Sequence, residues 1–197
     1  MLKIIAGEFR SRILEGPPDA ETTRPITSRV KESVFNLLRG WFEDAVVLDL
    51  FAGVGAIGLE AVSRGAREVV FVELNGRIAS ILEFNVRELG CSDRATVVRA
   101  DALGPAALAQ APRDCDLVFI DPPYPMWEDE VSRDRLIDLA ARCRANMKNK
   151  SFLIIRTPED IQDDFPGIPG FDGPESHAYS IDMFVHLFSP TPSPDSD

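Results

Sequence analysis

The chain has few of the residues that build disulfide frameworks and metal centres. Its 197 residues include only three cysteines and two histidines. The cysteines, Cys91, Cys115 and Cys143, are odd in number and lack the spacing of metal ligands, which predicts free thiols in a reducing, cytoplasmic compartment. The histidines, His177 and His186, lie late in the chain and form no metal-binding pattern. We therefore expect no metal site.

Long apolar runs are also missing. None approaches the ~20 residues that a membrane-spanning helix needs, and residues 1–7 are too short and too soon polar for a signal peptide. With 45% hydrophobic residues, the chain can build one sizeable domain with a small appendage. These features predict a cytoplasmic protein that works away from membranes, and we expect a monomer.

Lysine and arginine are absent from Thr157 onward, where nine acidic residues lie. The net charge of −11 argues against a nucleic-acid partner for the chain as a whole. Residues 1–40 nevertheless hold seven basic and five acidic residues, a net charge of +2 that leaves −13 for the remainder. This N-terminal part is the only candidate for a basic, phosphate-binding face. On charge alone, a merely solvated hairpin explains it equally well.

The N-terminal part has its own predicted structure. Residues 2–6 and 11–14 are strand-like and predict a hairpin, and residues 16–23, rich in Pro and Asp, predict a loop. Thr27 or Ser28 can cap the helix that follows, in which apolar residues recur at helical spacing.

The central part of the chain alternates between strand-like and helix-like segments. Such alternation is typical of an α/β fold, a parallel sheet covered by helices on both faces. The predicted strands are 46–50, 69–72, 96–99, 117–120 and 152–155, and the predicted helices are 57–64, 77–89 and 133–146, with an alanine-rich segment at 105–111.

The C-terminal part is acidic and rich in proline and glycine. Residues 159–175 predict a long loop, and residues 180–188 predict a last strand that can pair with a short preceding segment. The whole chain thus divides into an arm and loop at 1–26, one domain at 27–188, and a disordered tail at 189–197.

An apolar strand at 117–120 ends in an unusual tetrapeptide, Asp121, Pro122, Pro123 and Tyr124. Prolines lack a backbone donor and fix φ, so they end the strand and hold the turn in one shape. That shape presents one carboxylate and one aromatic ring at the carboxyl end of a strand, where open α/β sheets bind ligands. An acid beside a flat ring suits a planar, amino-bearing substrate such as a nucleobase.

A glycine-rich turn follows the first strand of the alternation. Residues 49–58 read DLFAGVGAIG, so Gly53, Gly55 and Gly58 form a G-x-G-x-x-G pattern between a strand and a helix. Glu73 ends the next strand, about twenty residues on, where an acid binds ribose hydroxyls. This pattern alone also fits a dinucleotide-binding fold.

Two further acids separate these options. Asp49 precedes the glycines, where it would repel a pyrophosphate and attract the ammonium of an amino-acid group. Asp101 ends the third strand and can accept a hydrogen bond from an adenine amine, although Asp101 and Ala102 also suit an ordinary helix N-cap. A pocket lined by carboxylates favours cationic S-adenosylmethionine over an anionic dinucleotide.

The segments DLFAGVGAIG, VVFVEL, the pair AD and DPPY occur in this order. They resemble the motifs of class I S-adenosylmethionine-dependent methyltransferases that act on exocyclic amines. Two N-terminal segments, IIAGEFRSRIL and TRPITSRVKESVFNLL, resemble those of the bacterial small-subunit (16S) ribosomal RNA guanine-N2-methyltransferases. The resemblance runs from residue 1 to about residue 155 and so covers most of the chain.

The resemblance implies a fold, a reaction and a set of site residues. The fold is a Rossmann-like, mostly parallel seven-stranded sheet with an N-terminal β-hairpin extension. The reaction transfers a methyl group from S-adenosylmethionine to the N2 amine of a guanine in 16S ribosomal RNA, free or in a small-subunit assembly intermediate. The implied residues are Asp121, Pro122, Pro123 and Tyr124 for catalysis, Asp49, Phe51, Ala52, Gly53, Gly55, Glu73, Leu74, Asp101 and Ala102 for the cofactor, and Arg10, Arg12 and Arg24 for RNA.

The chain departs from the family after the fifth strand, where an acid and a histidine are expected and residues 154–157 read IIRT. Three other interpretations remain open. An N6-adenine methyltransferase acting on DNA or RNA shares the proline motif. An NAD-type oxidoreductase shares the glycine motif, but Asp49 and the proline turn argue against it. A non-catalytic RNA-binding assembly factor is disfavoured by the intact Asp121 and Tyr124.

Overall fold

The computed structural model describes residues 2–17, 28–161 and 165–192. The helices are α1 (Ser28–Leu37), α2 (Gly58–Ser63), α3 (Gly76–Leu89), α4 (Pro105–Ala109), α5 (Tyr124–Glu128) and α6 (Glu130–Cys143). The strands are β1 (Val46–Leu50), β2 (Glu68–Glu73), β3 (Ala95–Arg99), β4 (Cys115–Ile120), β5 (Met147–Thr157), β6 (Phe171–Ser180) and β7 (Met183–Pro190). No helix in these ranges is both long enough and apolar enough to cross a membrane.

The seven strands form one sheet in the order β3-β2-β1-β4-β5-β7-β6. The first five strands in this order are parallel, and β7 runs antiparallel to both β5 and β6. This mostly parallel, seven-stranded sheet confirms the predicted fold class. The strand order reverses between β1 and β4, so a crevice opens at their carboxyl ends, which is where doubly wound sheets bind ligands.

Both faces of the sheet are buried, as its apolar strands require. Every residue of β1 is buried. Val47 faces the core that α1, α2 and α3 cover, whereas Leu48 and Leu50 face the core that α6 covers. The period of two along each strand therefore divides the apolar residues between two cores.

The N-terminal arm, residues 2–17, folds back on itself as the predicted hairpin, although neither side of it forms a regular strand. A single bridge joins Lys3 to Ile13. Beside this bridge, Ile4 N donates to the Arg12 carbonyl at 2.9 Å, and Leu14 N donates to the Leu2 carbonyl at 3.0 Å. At the tip of the hairpin, Glu8 N donates to the Ser63 carbonyl at 2.7 Å and Phe9 N donates to the Ser63 hydroxyl at 2.9 Å, so the tip docks on α2.

A buried carboxylate on α2 organises the docking of the arm. Glu60 has no exposed surface, and it accepts hydrogen bonds from Ile5 N at 2.8 Å and Ala6 N at 3.0 Å. It also pairs with Lys31 Nζ and Arg64 Nε, each at 3.0 Å. Four donors around one carboxylate compensate its desolvation.

Lys31 extends this network to two loops. It is 2% exposed, and its Nζ donates to the Lys3 carbonyl at 2.8 Å and to the Ala56 carbonyl at 3.3 Å. Burial lowers the pKa of Lys31, and the charge of Glu60 raises it in part. The arm, α1 and the glycine-rich turn after β1 are thus held by one buried ammonium.

Two predicted segments are wrong, and one helix was not predicted. Residues 171–175, expected in a long loop, belong to β6, and Pro174 is accommodated because β6 is the edge strand. Ser189 and Pro190, expected in a disordered tail, complete β7. Helix α5, which follows directly from the proline turn, was not predicted. The tail residues 193–197 lie outside the described ranges.

Replacing Glu60 by glutamine should lower the free energy of unfolding by about 3 kcal/mol, because Lys31 would remain buried without its counter-charge. Urea denaturation measures this loss. Asp138→Asn is the matched control: its ion pair with Arg142 is exposed, with side-chain exposures of 68% and 37%, respectively, and its removal should cost less than about 1 kcal/mol. Equal losses in the two variants would contradict a central role for Glu60.

Candidate functional site

The predicted carboxylates meet at the carboxyl ends of neighbouring strands. Asp49 on β1 pairs in register with Phe71 on β2 and with Phe119 on β4. Glu73 is the last residue of β2, and Asp121 directly follows β4. The three side chains therefore surround the crevice at which the strand order reverses.

The turn after β1 has an unusual backbone. Phe51, Gly53 and Gly55 have φ values of 63°, 56° and 88°. A positive φ is strained for a bulky residue such as phenylalanine and persists only where the surroundings impose it. Here Ala52 N donates to the Val72 carbonyl at 3.0 Å, which fixes the turn against β2.

The glycines of this turn have different roles. A Cβ added to Gly53 would meet no atom within 4 Å, so Gly53 leaves space beside the crevice. A Cβ on Gly55 would lie 2.4 Å from Leu82 Cδ1, and one on Gly58 would lie 2.2 Å from Phe71 Cε1. Gly55, which the resemblance assigns to the cofactor, thus lacks a side chain because the packed core leaves no room for one.

Asp49 is a buried carboxyl group with one unpaired oxygen. Its Oδ2 accepts a hydrogen bond from Gly58 N at 2.9 Å, whereas Oδ1 has no partner among the described residues. Burial raises the pKa of Asp49 to about 8; the Gly58 bond lowers it in part, and the charges of Asp121 and Glu73 raise it further. An uncompensated buried oxygen of this kind favours a cationic ligand.

Glu73 holds the glycine-rich turn as well as facing the crevice. Its Oε2 accepts from Gly53 N at 2.9 Å, and its Oε1 accepts from Asn75 N at 2.7 Å. Asn75 in turn caps α3. The neighbouring Leu74 is 68% exposed, so its apolar side chain is open to a ligand. The sequence pattern did not predict the bond between Glu73 and the turn.

Asp101 lies at the end of β3, as predicted, and is exposed. Its Oδ1 accepts from Leu103 N at 3.0 Å, which makes a local turn. The alternative interpretation as a helix N-cap is wrong, because Gly104 occupies that position in α4. Ala102 is buried at 4% exposure and packs in the core beneath this turn.

The proline turn leads directly into α5, of which Tyr124 is the first residue. The Pro123 carbonyl accepts from Met126 N at 2.9 Å, so it takes part in the first turn of the helix. Pro122 is buried. The rigid turn thus places Asp121 and Tyr124 in fixed positions relative to each other.

Arg156 is a residue of this site that the sequence patterns did not predict. It follows Ile155 on β5, which pairs in register with Ile120 at the end of β4, so Arg156 reaches Asp121. Arg156 Nε donates a hydrogen bond to Asp121 Oδ1. The guanidinium carbon lies 5.2 Å from the centroid of the Tyr124 ring, within cation–π distance. The departure from the family pattern after the fifth strand was the one signal for it.

The charges of this group influence one another. Burial raises the pKa of Asp121, and the positive charge of Arg156 opposes this increase. Burial lowers the pKa of Arg156, but Asp121 and then Tyr124 raise it, and the net change is upward. Arg156 therefore stays protonated beside the carboxylate at any ordinary pH.

A small cavity adjoins this group. Asp121 and Arg156 border it, and its other walls are apolar side chains from α1, the glycine-rich turn and strands β4, β5 and β7. These apolar residues are Val34, Phe35, Ile57, Phe119, Ile120, Ile154 and Val185. Helix α1, part of the family-specific N-terminal segment, thus closes one side of the site.

The predicted RNA-binding arginines do not act alike. Arg10 is exposed and lines a groove between the arm and α1, together with Lys3 and Arg29. Arg12 is also exposed, but its guanidinium donates to the Glu88 carbonyl at 2.7 Å and so fastens the arm to α3. Arg24 lies outside the described residues.

The cysteines of this chain are buried, and the described residues form no cluster of metal ligands. Cys91, Cys115 and Cys143 are free and buried. Burial raises the pKa of both Cys115 and Cys143 to about 12, which keeps these thiols protonated and unreactive. Within residues 2–17, 28–161 and 165–192, no three potential ligands cluster in a way that could hold a metal ion.

Several proteins of known sequence match part of this chain. "Ribosomal RNA small subunit methyltransferase D" of Haemophilus influenzae is 40% identical over 124 residues, which are 62% of this chain and 64% of that protein. The chain thus matches less than two thirds of the length of this relative. A shorter match is the "tRNA1(Val) (adenine(37)-N6)-methyltransferase" of Shewanella loihica, 32% identical over 80 residues, which are 40% of this chain and 33% of that protein.

Solved structures agree with the sequence relatives. A structure described as the putative methyltransferase yhhF from Escherichia coli superposes with a TM-score of 0.77 at 28% identity, covering 95% of this chain and 97% of that chain. The sequence pattern of the family described as "Conserved hypothetical protein 95" matches residues 2–163. The chain therefore belongs to the Conserved hypothetical protein 95 family, it resembles the small-subunit ribosomal RNA methyltransferase D proteins as predicted, and it has the class I methyltransferase fold.

Proposed function

We propose that this protein transfers a methyl group from S-adenosylmethionine to the exocyclic N2 amine of a guanine in small-subunit ribosomal RNA. The observation that carries the proposal is the juxtaposition of Asp121 and Tyr124, held by a rigid proline turn, with the carboxylate-lined crevice at the end of β1. The relative named above as a small-subunit ribosomal RNA methyltransferase supports methyl transfer to ribosomal RNA.

The residues of the crevice fit S-adenosylmethionine. The unpaired Asp49 Oδ1 suits the ammonium of its amino-acid group, and the open space at Gly53 allows the ligand to approach the backbone. We assign Glu73 to the ribose, Asp101 to the adenine amine, and the exposed Leu74 to the adenine face. Phe51, Ala52, Gly55 and Ala102 shape the turns that these contacts need.

When bound, S-adenosylmethionine supplies a methyl group on a sulfonium, which is already a good leaving group. The nucleophile is the difficult partner, because the lone pair of an exocyclic amine is delocalised into the base. Asp121 would accept a hydrogen bond from this amine, turn its lone pair toward the methyl carbon, and stabilise the positive charge that develops on nitrogen. Tyr124 would stack on the base after it leaves the RNA stack.

The groove between the arm and α1 is the proposed contact with RNA phosphates. Lys3, Arg10 and Arg29 line it, and one carboxylate, Glu32, lies among them. Because the protein as a whole is acidic, RNA must bind through a local basic surface of this kind. We expect the substrate to be ribosomal RNA, free or in a small-subunit assembly intermediate.

A second candidate function is methylation of adenine N6. The short match to an adenine-N6 methyltransferase supports it, because both reactions use an exocyclic amine and the same acidic proline turn. The two candidates differ in the nucleoside that they produce. A purely structural role in ribosome assembly would produce neither.

The purified protein should methylate 16S ribosomal RNA or a small-subunit assembly intermediate, and hydrolysed product should contain N2-methylguanosine by mass spectrometry. Asp121→Asn should reduce turnover by about 10²–10³, because it removes the acceptor charge that faces the amine. N6-methyladenosine as the product would favour the second candidate. No methylation of any of these RNAs by folded protein would contradict the proposal.

The double change Arg10→Ala and Arg29→Ala should weaken RNA binding and reduce the slope of log K against log salt by about 1.5, since each lost phosphate contact removes roughly 0.7–0.9. Fluorescence anisotropy across a salt series measures both quantities. Arg135→Ala is the control, because Arg135 is exposed on α6, which packs on the opposite face of the sheet. An unchanged slope in the double variant would place the RNA contact elsewhere.

Binding of S-adenosylmethionine should release a proton near neutral pH. Below about pH 8 the Asp49 carboxyl is mostly protonated, and an ammonium beside Oδ1 favours the carboxylate and so lowers its pKa. Calorimetry in buffers of different ionisation enthalpy should detect close to one released proton near neutral pH and less above about pH 9. The release should vanish in Asp49→Asn. Equal release in that variant would assign the proton to another group.

A further inference from the structure

The side chain of Arg156 contacts both residues to which the proposed function assigns the target base. It donates to Asp121 Oδ1 and lies against the ring of Tyr124. The register of the sheet fixes these contacts. Ile155 on β5 pairs with Ile120 on β4, and the residues that follow them, Arg156 and Asp121, form the ion pair. Arg156 also lines the cavity that Asp121 opens into.

A stabilising role alone does not explain this arginine. Its side chain is 10% exposed and that of Asp121 is 16% exposed, so both charges are largely removed from water. A buried ion pair gives little net stability, and apolar residues of similar volume often serve the fold equally well. The surrounding walls, including Val34, Phe35 and Val185, are indeed apolar. A charged pair at this place indicates a chemical task.

We propose that Arg156 is a positioning residue for methyl transfer: its guanidinium keeps the Asp121 carboxylate charged and correctly oriented, and it supports the ring of Tyr124. The proposal rests on the proposed function. Arg156 departs from the family pattern after the fifth strand. The proposal therefore describes how this particular chain orients the Asp121 carboxylate that accepts a hydrogen bond from the target amine.

The surroundings of Asp121 explain why it needs a cation. On β1, Asp49 faces the same crevice and repels a second negative charge whenever it is ionised. On α5, Tyr124 contributes its ring, and α1 and β7 contribute only apolar side chains to the cavity. Arg156 on β5 is thus the one positive charge that faces Asp121 within the described parts of the chain. Without it, burial would favour the protonated acid, which accepts poorly from an amine.

The test compares Arg156→Met with Arg156→Lys and with Arg113→Met, a control at an exposed position ahead of the amino end of β4. In Arg156→Met, the acidic limb of the profile of kcat/KM against pH should move up by at least about one pH unit, so activity below the limb falls about tenfold and recovers at higher pH. Arg156→Lys should keep the limb near that of the wild type, with a higher KM because an ammonium does not stack on Tyr124 as a guanidinium does. Arg113→Met should match the wild type.

A double-mutant cycle separates positioning from general damage. If Arg156 acts through Asp121, then Arg156→Met should have little further effect on turnover once Asp121 is already Asn. Additive losses, or a uniform fall in activity with an unmoved acidic limb, would overturn the proposal. Cofactor affinity by calorimetry should be the same in all Arg156 variants, which excludes a collapsed site.

An NMR titration makes the outcome independent of the proposed reaction. In protein labelled with ¹³C at aspartate carboxyls, the Asp121 signal is identified by its absence in Asp121→Asn. Its pKa should rise by at least about one unit in Arg156→Met and not in Arg113→Met. If the wild type methylates no RNA, the proposed function fails while this titration still decides whether Arg156 keeps Asp121 charged. An unchanged pKa would overturn the inference even in an active enzyme.

Discussion

The ion pair between Lys31 and Glu60 joins three parts of the chain that are distant in sequence. Glu60 collects backbone donors of the arm, and Lys31 donates to carbonyls of the arm and of the glycine-rich turn. Both side chains are almost fully buried, so their bonds are not weakened by competing water. The proposed RNA-binding groove and the proposed cofactor turn are consequently parts of one rigid body.

The crevice contains three carboxyl groups with three different sets of partners. Glu73 accepts hydrogen bonds from two backbone N–H groups. Asp121 is held beside Arg156, whereas Asp49 has an unpaired oxygen and a pKa of about 8. Like charges so close together cannot all be ionised without partners. These different surroundings fit the proposed cation beside Asp49 and the proposed amine beside Asp121.

The distribution of charge reconciles an acidic protein with the proposed RNA substrate. The formal net charge is −11, yet the groove beside the arm holds Lys3, Arg10 and Arg29 against one acid, Glu32. The acidic β6–β7 hairpin forms the far edge of the sheet. Dissolved salt screens the interaction between exposed charges that lie more than about 10 Å apart. The charge of the local groove therefore influences RNA binding more than the net charge of the protein does.

The sequence by itself determined the architecture and the main acids of the site. The period of two in the strands, the alternation with helices and the two turn motifs depend on local patterns, and they led correctly to a parallel sheet with Asp49, Glu73 and Asp121 at one edge. The first half of the edge strand β6 was predicted as a loop, because proline and glycine usually indicate loops. At the edge of a sheet these residues do not interrupt the hydrogen bonding of the other strands.

Only the tertiary structure decided which side chains meet. Arg156 reaches Asp121 because β5 lies beside β4 in register, and Glu60 reaches the arm because the chain folds back over α2. Gly55 faces Leu82 and not the crevice for the same reason. Contacts between residues far apart in sequence depend on the packing of whole elements, and no local pattern of a single sequence encodes them.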